Sequence, residues 1–427
     1  MNRSPIFAII VLSTIALQCC TTGDDKGCNS SPHSTEVRVV SAQIPDSTHE
    51  NKANYSVYLE NSLSVNGYLN VSGDGSFKDV VYSLITSING FPDKKSLNLY
   101  DINTEIIPVS RNANAVDVNA YITNLDAETF RKRSKKKGGK QSKSDLAGVF
   151  KMVLDSTGSN TVSILISDCI FSPDKGNALD YLSQQKAAIQ GYFQNTKLST
   201  LVLKFQSDFD GAYYYQDNFP KNSLFKDRPY YMTCIGPEEA LRKLYDYVDA
   251  KFKAKAFKDF LFLTPNRNFQ VNPMVVINNQ YYDYEPDCPL IITSPKKGED
   301  DNIFKIQLLV DYSELPLSEN YLVDTANYNL SSGYRIESIK PIKLANSSAT
   351  HEIVLVSGTI KPRLVNVSLN CHLPHWVDST NIDADKGKSP DELKGKTFGI
   401  QYLLGGMFDA YYPPNPKYFS FSIQVKN

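Results

Sequence analysis

A doubly wound α/β domain followed by a β-sandwich is the fold class that this 427-residue sequence predicts. Between Tyr55 and Pro265, short apolar runs alternate with segments whose apolar residues recur at i, i+3 and i+4, as strands and amphipathic helices do in turn. After Pro265 the helical period disappears and apolar–polar alternation takes over, the mark of half-buried antiparallel strands. The length exceeds what one hydrophobic core usually organises. The expected organisation is a signal over 1–20, a polar tether over 21–53, the α/β domain over 54–265 and the sandwich over 266–427.

The chain opens with Arg3 and an apolar run from Ile6 to Leu17, too short to span a bilayer as a mature helix. The run ends in Gln18-Cys19-Cys20 and is followed by Thr-Thr-Gly-Asp24-Asp25. This looks like a bacterial lipoprotein signal, with Cys20 or Cys19 as the acylated residue; an ordinary cleaved signal and an uncleaved anchor are the alternatives. The acids just past the lipid resemble tracts that direct some lipoproteins to the cell surface. The resemblance implies a chain held in the bacterial outer membrane by its lipid, on the cell surface or on the periplasmic face. Residues 21–53 are rich in Ser, Thr, Asp and Asn without an apolar period and read as a flexible tether.

In the α/β half, Tyr55–Glu60 reads as the first strand. Ser76 caps a helix carrying Phe77, Val80, Val81, Leu84, Ile85 and Ile88, with Asp79 completing a capping box. A strand is expected over 115–122, a helix over 146–154, a buried strand over 162–167 and a helix over 177–193. Strands at 198–205, 230–235 and 260–263 follow, with a helix opening at Pro237. Strands separated by helices imply right-handed crossovers and a mostly parallel sheet, in which ligands bind outside the carboxyl ends of the strands. In the second half, 304–310, 334–342, 351–360, 363–369, 398–404 and 418–425 are strand candidates.

A net charge of −1 excludes a bulk electrostatic partner such as nucleic acid. The 26 tyrosines and 21 phenylalanines suit β-rich structure and surfaces facing protein or carbohydrate. Past the signal, Cys28, Cys169, Cys234, Cys288 and Cys371 form an odd, scattered set, which reads as buried thiols rather than a disulfide framework. Beside a lipoprotein signal, the Asn-x-Ser sequons at Asn54, Asn70, Asn329, Asn346 and Asn366 read as chance.

The first strand runs into Glu60-x-Ser62-x-Ser64, one carboxylate and two hydroxyls that converge where a loop curls over the sheet edge. Hard oxygens so placed suit Mg²⁺ or Mn²⁺. Downstream, the buried run Ile164-Leu-Ile ends in Ser167-Asp168-Cys169. Together these resemble the metal-ion-dependent adhesion site of von Willebrand factor A domains, which reads Asp-x-Ser-x-Ser with an Asp from a Thr-Asp-Gly-like triplet; here the first acid is Glu, one methylene longer. The resemblance covers roughly half the chain and implies a metal held by Glu60, Ser62, Ser64, Asp168 and a hydroxyl from the loop before a helix. That loop offers Ser142, Ser144 and Asp145, of which Ser144 is the expected ligand. In such domains a partner's acidic group completes the metal's coordination. Without a metal, Glu60 reads as a strand-end cap and Asp168 as a turn residue.

Other constellations are weaker. Arg131–Lys143 carries eight basic residues and no acid around Gly138-Gly139, and reads as a disordered solvated loop. Its functional alternative is a contact for lipid headgroups or another acidic polymer. Ser207–Tyr215 and Arg228–Tyr231 bracket an aromatic insertion that serves binding or packing. Asp208 and Asp210 share a strand face, as an acid–base pair would, yet nothing beside them builds a cleft. Histidines are confined to the tether and the β half, so no Ser-His-Asp or Cys-His pair can form in the α/β domain. Cys371, His372 and His375, with Asp378 as a fourth ligand, give a zinc alternative to a simple bend before Trp376. Asp378, Asp383 and Asp385 lack a calcium-loop spacing.

The expected function is therefore binding rather than catalysis: a lipid-anchored protein engaging a protein or envelope-polymer partner through the sheet edge of an A-like domain, with Mg²⁺ or Mn²⁺ if the site holds a metal. The alternatives are a metal-assisted hydrolase and a structural subunit of an envelope complex.

Overall fold

The computed structural model describes residues 52–426 except 143–144, 174–176, 218, 253–255, 268, 277, 279, 286–287, 346 and 361–362. The signal with Cys19 and Cys20, the tether up to residue 51, Cys28 and Ser144 lie outside the described residues.

The first half runs β1 (Ala53–Glu60), α1 (Asn66–Leu69), α2 (Phe77–Asn89), β2 (Lys94–Ile102), β3 (Ile106–Ser110), α3 (Ala115–Thr123), α4 (Ala127–Lys137), α5 (Leu146–Asp155), β4 (Thr161–Ser167), α6 (Ala178–Phe193), β5 (Ser199–Tyr214), β6 (Pro220–Gly236), α7 (Glu238–Phe252) and β7 (Phe257–Leu263). The strands form one seven-stranded sheet, β3-β2-β1-β4-β6-β5-β7. Its centre is parallel, β1 pairing with β2 and β4, and every other pair is antiparallel. The sequence predicts a mostly parallel sheet; the fold is mixed α/β with a mixed sheet instead. The reason is local. No helix-period segment lies between β5 and β6, so the chain returns as a hairpin rather than through a crossover, and β6 inserts between β4 and β5.

Strand periodicity sorts side chains between two cores. Tyr55, Val57 and Leu59 of β1, with Ile164 and Ile166 of β4, join Val81, Leu84 and Ile88 of α2 on one face. Tyr58 and Leu165 join Phe150 of α5 and Ile189 of α6 on the other.

β2 and β3 form where the sequence suggests no strand, and two segments it does assign take other structure. Residues 115–122, expected as a strand, form α3: the Asn114 side chain accepts from the Val116 and Asp117 amides, and Asp117 accepts from the Asn114 amide at 3.0 Å, a capping box that overrides the β-branched residues. The basic run, expected as a disordered loop, begins inside α4. Asp126 caps that helix, Gly138 ends it in the left-handed conformation, and Lys135–Lys137 face the negative end of its dipole.

The second half runs β8 (Met274–Val275), β9 (Asp283–Glu285), β10 (Cys288–Thr293), β11 (Phe304–Val310), α8 (Glu319–Val323), β12 (Tyr328–Leu330), β13 (Arg335–Pro341), β14 (His351–Ser357), β15 (Arg363–Asn370), α9 (His375–Thr380), β16 (Asn381–Ile382), β17 (Thr397–Phe398), α10 (Ile400–Tyr411) and β18 (Lys417–Val425). Two sheets, β12-β15-β18-β10-β9 and β13-β14-β11-β8, are antiparallel apart from the β10–β18 pair. Ile306, Leu308 and Ile353 of one sheet share a core with Val365, Val367 and Ile423 of the other.

Residues 398–404, expected as a strand, begin α10. Gly399 opens it at a left-handed φ of 76°, and Ile400, Leu403, Leu404, Met407 and Tyr411 supply a true helical period. Through α10 and α9 the chain returns to the first sheet. Thr200 bonds the Tyr411 hydroxyl at 2.9 Å, Tyr231 bonds Thr397 at 3.0 Å, and Trp376 Nε1 donates to Phe260 O at 3.2 Å. Cys169, Cys234 and Cys371 are free and buried, as the sequence suggests, but Cys288 is disulfide-bonded, against that expectation. Among the described residues no helix is long and apolar enough to cross a membrane.

Candidate functional site

The parallel register builds the site. Leu59 pairs with Ile166, so the next residues, Glu60 and Ser167, meet at the carboxyl ends of β1 and β4. The Ser167 hydroxyl donates to Glu60 Oε2 and accepts from the Cys169 amide at 2.8 Å. Cys169 holds a left-handed φ of 53°, a conformation that favours glycine, and so turns the chain sharply past Asp168. In the loop after β1, Ser62 Oγ lies 3.0 Å from Ser64 Oγ, and the Ser64 hydroxyl also bonds the Asp168 carboxylate. Glu60, Ser62, Ser64 and Asp168 thus lie together at this edge, and Ser144 lies outside the described residues.

The site is closed rather than open. Glu60 and Asp168 are each 2% exposed. Arg228, 3% exposed, sends Nη2 to within 3.0 Å of Asp168 Oδ2. Burial raises the Asp168 carboxyl above its usual range; the guanidinium and the Ser64 hydroxyl oppose that rise. Four rings surround the guanidinium, with centroids 4.0 Å (Phe209), 4.7 Å (Tyr213), 5.2 Å (Tyr68) and 5.8 Å (Phe225) from Cζ. Arg228 Nη1 has no oxygen partner among the described residues.

Phe209, Tyr213 and Phe225 belong to the aromatic insertion, which forms the outer part of the β5–β6 ribbon, and Tyr68 comes from α1. β4 pairs with β6 as far as Ser167 opposite Tyr231, so the ribbon projects past the carboxyl end of the parallel strands. Three ties hold it there. Tyr68 of α1 donates to Pro229 O at 2.5 Å. The buried Asp385 carboxylate accepts from the Tyr213 hydroxyl at 2.7 Å and the Gln216 amide at 2.8 Å. Gly67 packs against the Phe209 ring so closely that an added Cβ would overlap it. Gly67→Ala is therefore expected to cost about 1–3 kcal/mol through overpacking, read as a lower urea midpoint and faster amide exchange at 207–214.

A second strand-end acid, not singled out from sequence, repeats the pattern. Asp101 of β2 is buried; it accepts from the Tyr121 hydroxyl at 3.1 Å and pairs with Arg133 Nη1 at 3.3 Å. Asn61 Nδ2 reaches it at 3.4 Å and also donates to Phe130 O. Arg133 comes from the basic run, so that run has a structural task besides its solvated lysines. The sequence marks Arg228, too, only as the border of an insertion. Its signal was a lone arginine beside the apolar Tyr230–Ile235 strand.

The remaining candidates disperse. Asp208 pairs with Lys226 on the ribbon surface, and Asp210 is exposed. Cys371 is buried with its thiol pushed up to about 12 by burial, whereas His372, His375 and Asp378 are exposed. Among the described residues no three His, Cys, Asp or Glu side chains gather as a metal cluster.

No known protein family, curated protein or solved structure matches this chain.

Proposed function

We propose that this chain is a lipid-anchored protein of the bacterial outer membrane that binds a protein or envelope-polymer partner through the sheet-edge face of an A-like domain, without chemistry of its own. The observation that carries the reading is the ribbon. It rises past the carboxyl ends of β1 and β4, where A-like domains engage partners, and exposes Phe219 (73%) and Leu224 (71%) beside the exposed Lys221 and Lys226. Large apolar side chains with cationic neighbours at an edge of this kind suit a contact surface. The disulfide at Cys288 supports an oxidising compartment outside the cytoplasm.

The test uses the full chain in mild detergent, immobilised and offered outer-membrane proteins, lipopolysaccharide and peptidoglycan fragments separately. Retention of one of them is expected, and Phe219→Ser with Leu224→Ser is expected to abolish it without moving the unfolding midpoint. No retention of any, or retention unchanged in the variant, overturns the reading. Fatty-acid labelling of the chain, lost when Cys19 and Cys20 are both replaced by alanine, checks the anchor.

A further inference from the structure

We propose that the guanidinium of Arg228 is itself the cation of the sheet-edge site, standing where the resemblance to A domains places a divalent metal and making the site independent of metal ions. The inference concerns the site on which the proposed function rests, but its test involves no partner, so the two fail separately.

Glu60 and Asp168 end neighbouring parallel strands, both almost wholly removed from water. A carboxylate buried like that of Asp168 needs a positive group, and without one it is strongly disfavoured. Arg228 supplies it at 3.0 Å from Asp168, equally buried, from a strand on the far side of β4. A divalent ion bound to the same carboxylate would sit beside this permanent charge and be repelled by it, with little solvent to screen the repulsion.

The donor set agrees. Mg²⁺ and Mn²⁺ take hard oxygens and keep several waters. Around this cation stand the rings of Phe209, Tyr213, Tyr68 and Phe225 instead. Such rings stabilise a flat, weakly hydrated guanidinium through its faces and offer a hydrated metal nothing. They also account for Nη1, which lacks an oxygen partner among the described residues. The hydroxyls are turned inward as well: Ser167 serves Glu60, and Ser64 serves Asp168 while bonding Ser62. The longer acid of the first motif fits this arrangement, since Glu60 reaches across to Ser167 rather than into a shared metal sphere.

A metal can leave its site, whereas a side chain cannot. The consequence is a ribbon held permanently over the strand ends, so recognition falls to its outer surface and not to an open coordination position.

The full chain in mild detergent is titrated with Mn²⁺ while the electron paramagnetic resonance signal of the free ion is followed, and its thermal unfolding is compared in EDTA, Mg²⁺, Mn²⁺ and Ca²⁺. The expected result is an undiminished free-ion signal and no cation-specific rise in the midpoint. A loss of signal that Ser62→Ala and Asp168→Asn both leave unchanged places the ion elsewhere and agrees with the proposal. A loss of signal relieved by either variant overturns it, as does a cation-specific rise of a few degrees, the size expected at a hundredfold excess over Kd. Arg228→Gln is expected to speed amide exchange at 207–214 by about tenfold or more, and Arg228→Lys by less. Equal, unaltered exchange in both variants also overturns the proposal.

Discussion

Arg228→Ala is expected to lower the free energy of unfolding by about 3–5 kcal/mol, the cost of leaving a buried charge without its counter-ion. In the variant Asp168 keeps the Ser64 hydroxyl, its own amide and the Ile170 amide, the last at 3.4 Å, none of them charged. The carboxyl's pKa, already raised by burial, climbs further once the guanidinium is gone. The sign of the pH effect follows. An acid whose folded pKa lies above its unfolded value costs nothing below the unfolded value, and the cost grows as pH rises through the folded one. The deficit relative to wild type should therefore be largest at pH 7 and shrink toward pH 4, as urea titrations at both values will show. Arg228→Met combined with Asp168→Leu should recover much of the loss, because it removes both charges and keeps apolar volume against the rings. A single-variant deficit below about 1 kcal/mol, the size of an exposed pair, would mean that the ion pair does not hold the ribbon.

Lys204→Met is expected to stabilise the protein at neutral pH. Lys204 lies buried in β5, bonded to Thr380 and with Nζ 5.3 Å from the centre of the Trp376 ring. Burial pushes its ammonium down to about 8. Below that value the amine is charged in folded and unfolded chains alike, and the folded state bears the whole desolvation cost. Between about 8 and 10.5 the unfolded chain holds the extra proton, so stability rises with pH. The variant should thus gain up to about 2–3 kcal/mol at pH 7, and the gain should fade as pH approaches 10. Taking the difference between the two proteins cancels the raised tyrosines, which act on both. A loss of stability at pH 7 would show that the Thr380 bond and the ring contact outweigh desolvation.

Where local chemistry decides structure, the sequence was legible. The Ser76 cap, the apolar face of α2, and the runs that became β1, β4, β11 and β18 rest on period and capping, and both lie within a dozen residues. Glu60 and Asp168 were readable as neighbours because parallel strands of known polarity leave their carboxyl ends together. The failures have physical causes too. Ala115–Thr123 is rich in β-branched and aromatic residues, yet Asn114 and Asp117 cap it as a helix. In α10 the period was present, but the preceding Thr397-Phe398 and the glycine at 399 masked where it began. The antiparallel insertion of β6 could not be read from periodicity, which reports faces and not neighbours. Arg228 was hidden for the same reason: its partner lies in another strand, and only the pairing of β4 with β6 brings them together.

That pairing also shapes how the chain must assemble. By Ser167 the four strands β3-β2-β1-β4 have all been synthesised, and the outer edge of β4, with its apolar run Val162–Ile166, then lacks the strand that will cover it. The covering strand is the second arm of a hairpin whose first arm ends up farther away. The hairpin is a local structure and forms fast, but its docking joins residues far apart in sequence and is slow. Until it docks, β4 offers an open edge to any other chain in the same state. Substitutions that weaken the hairpin should consequently reduce the yield of correctly assembled protein more than the endurance of molecules that have already closed.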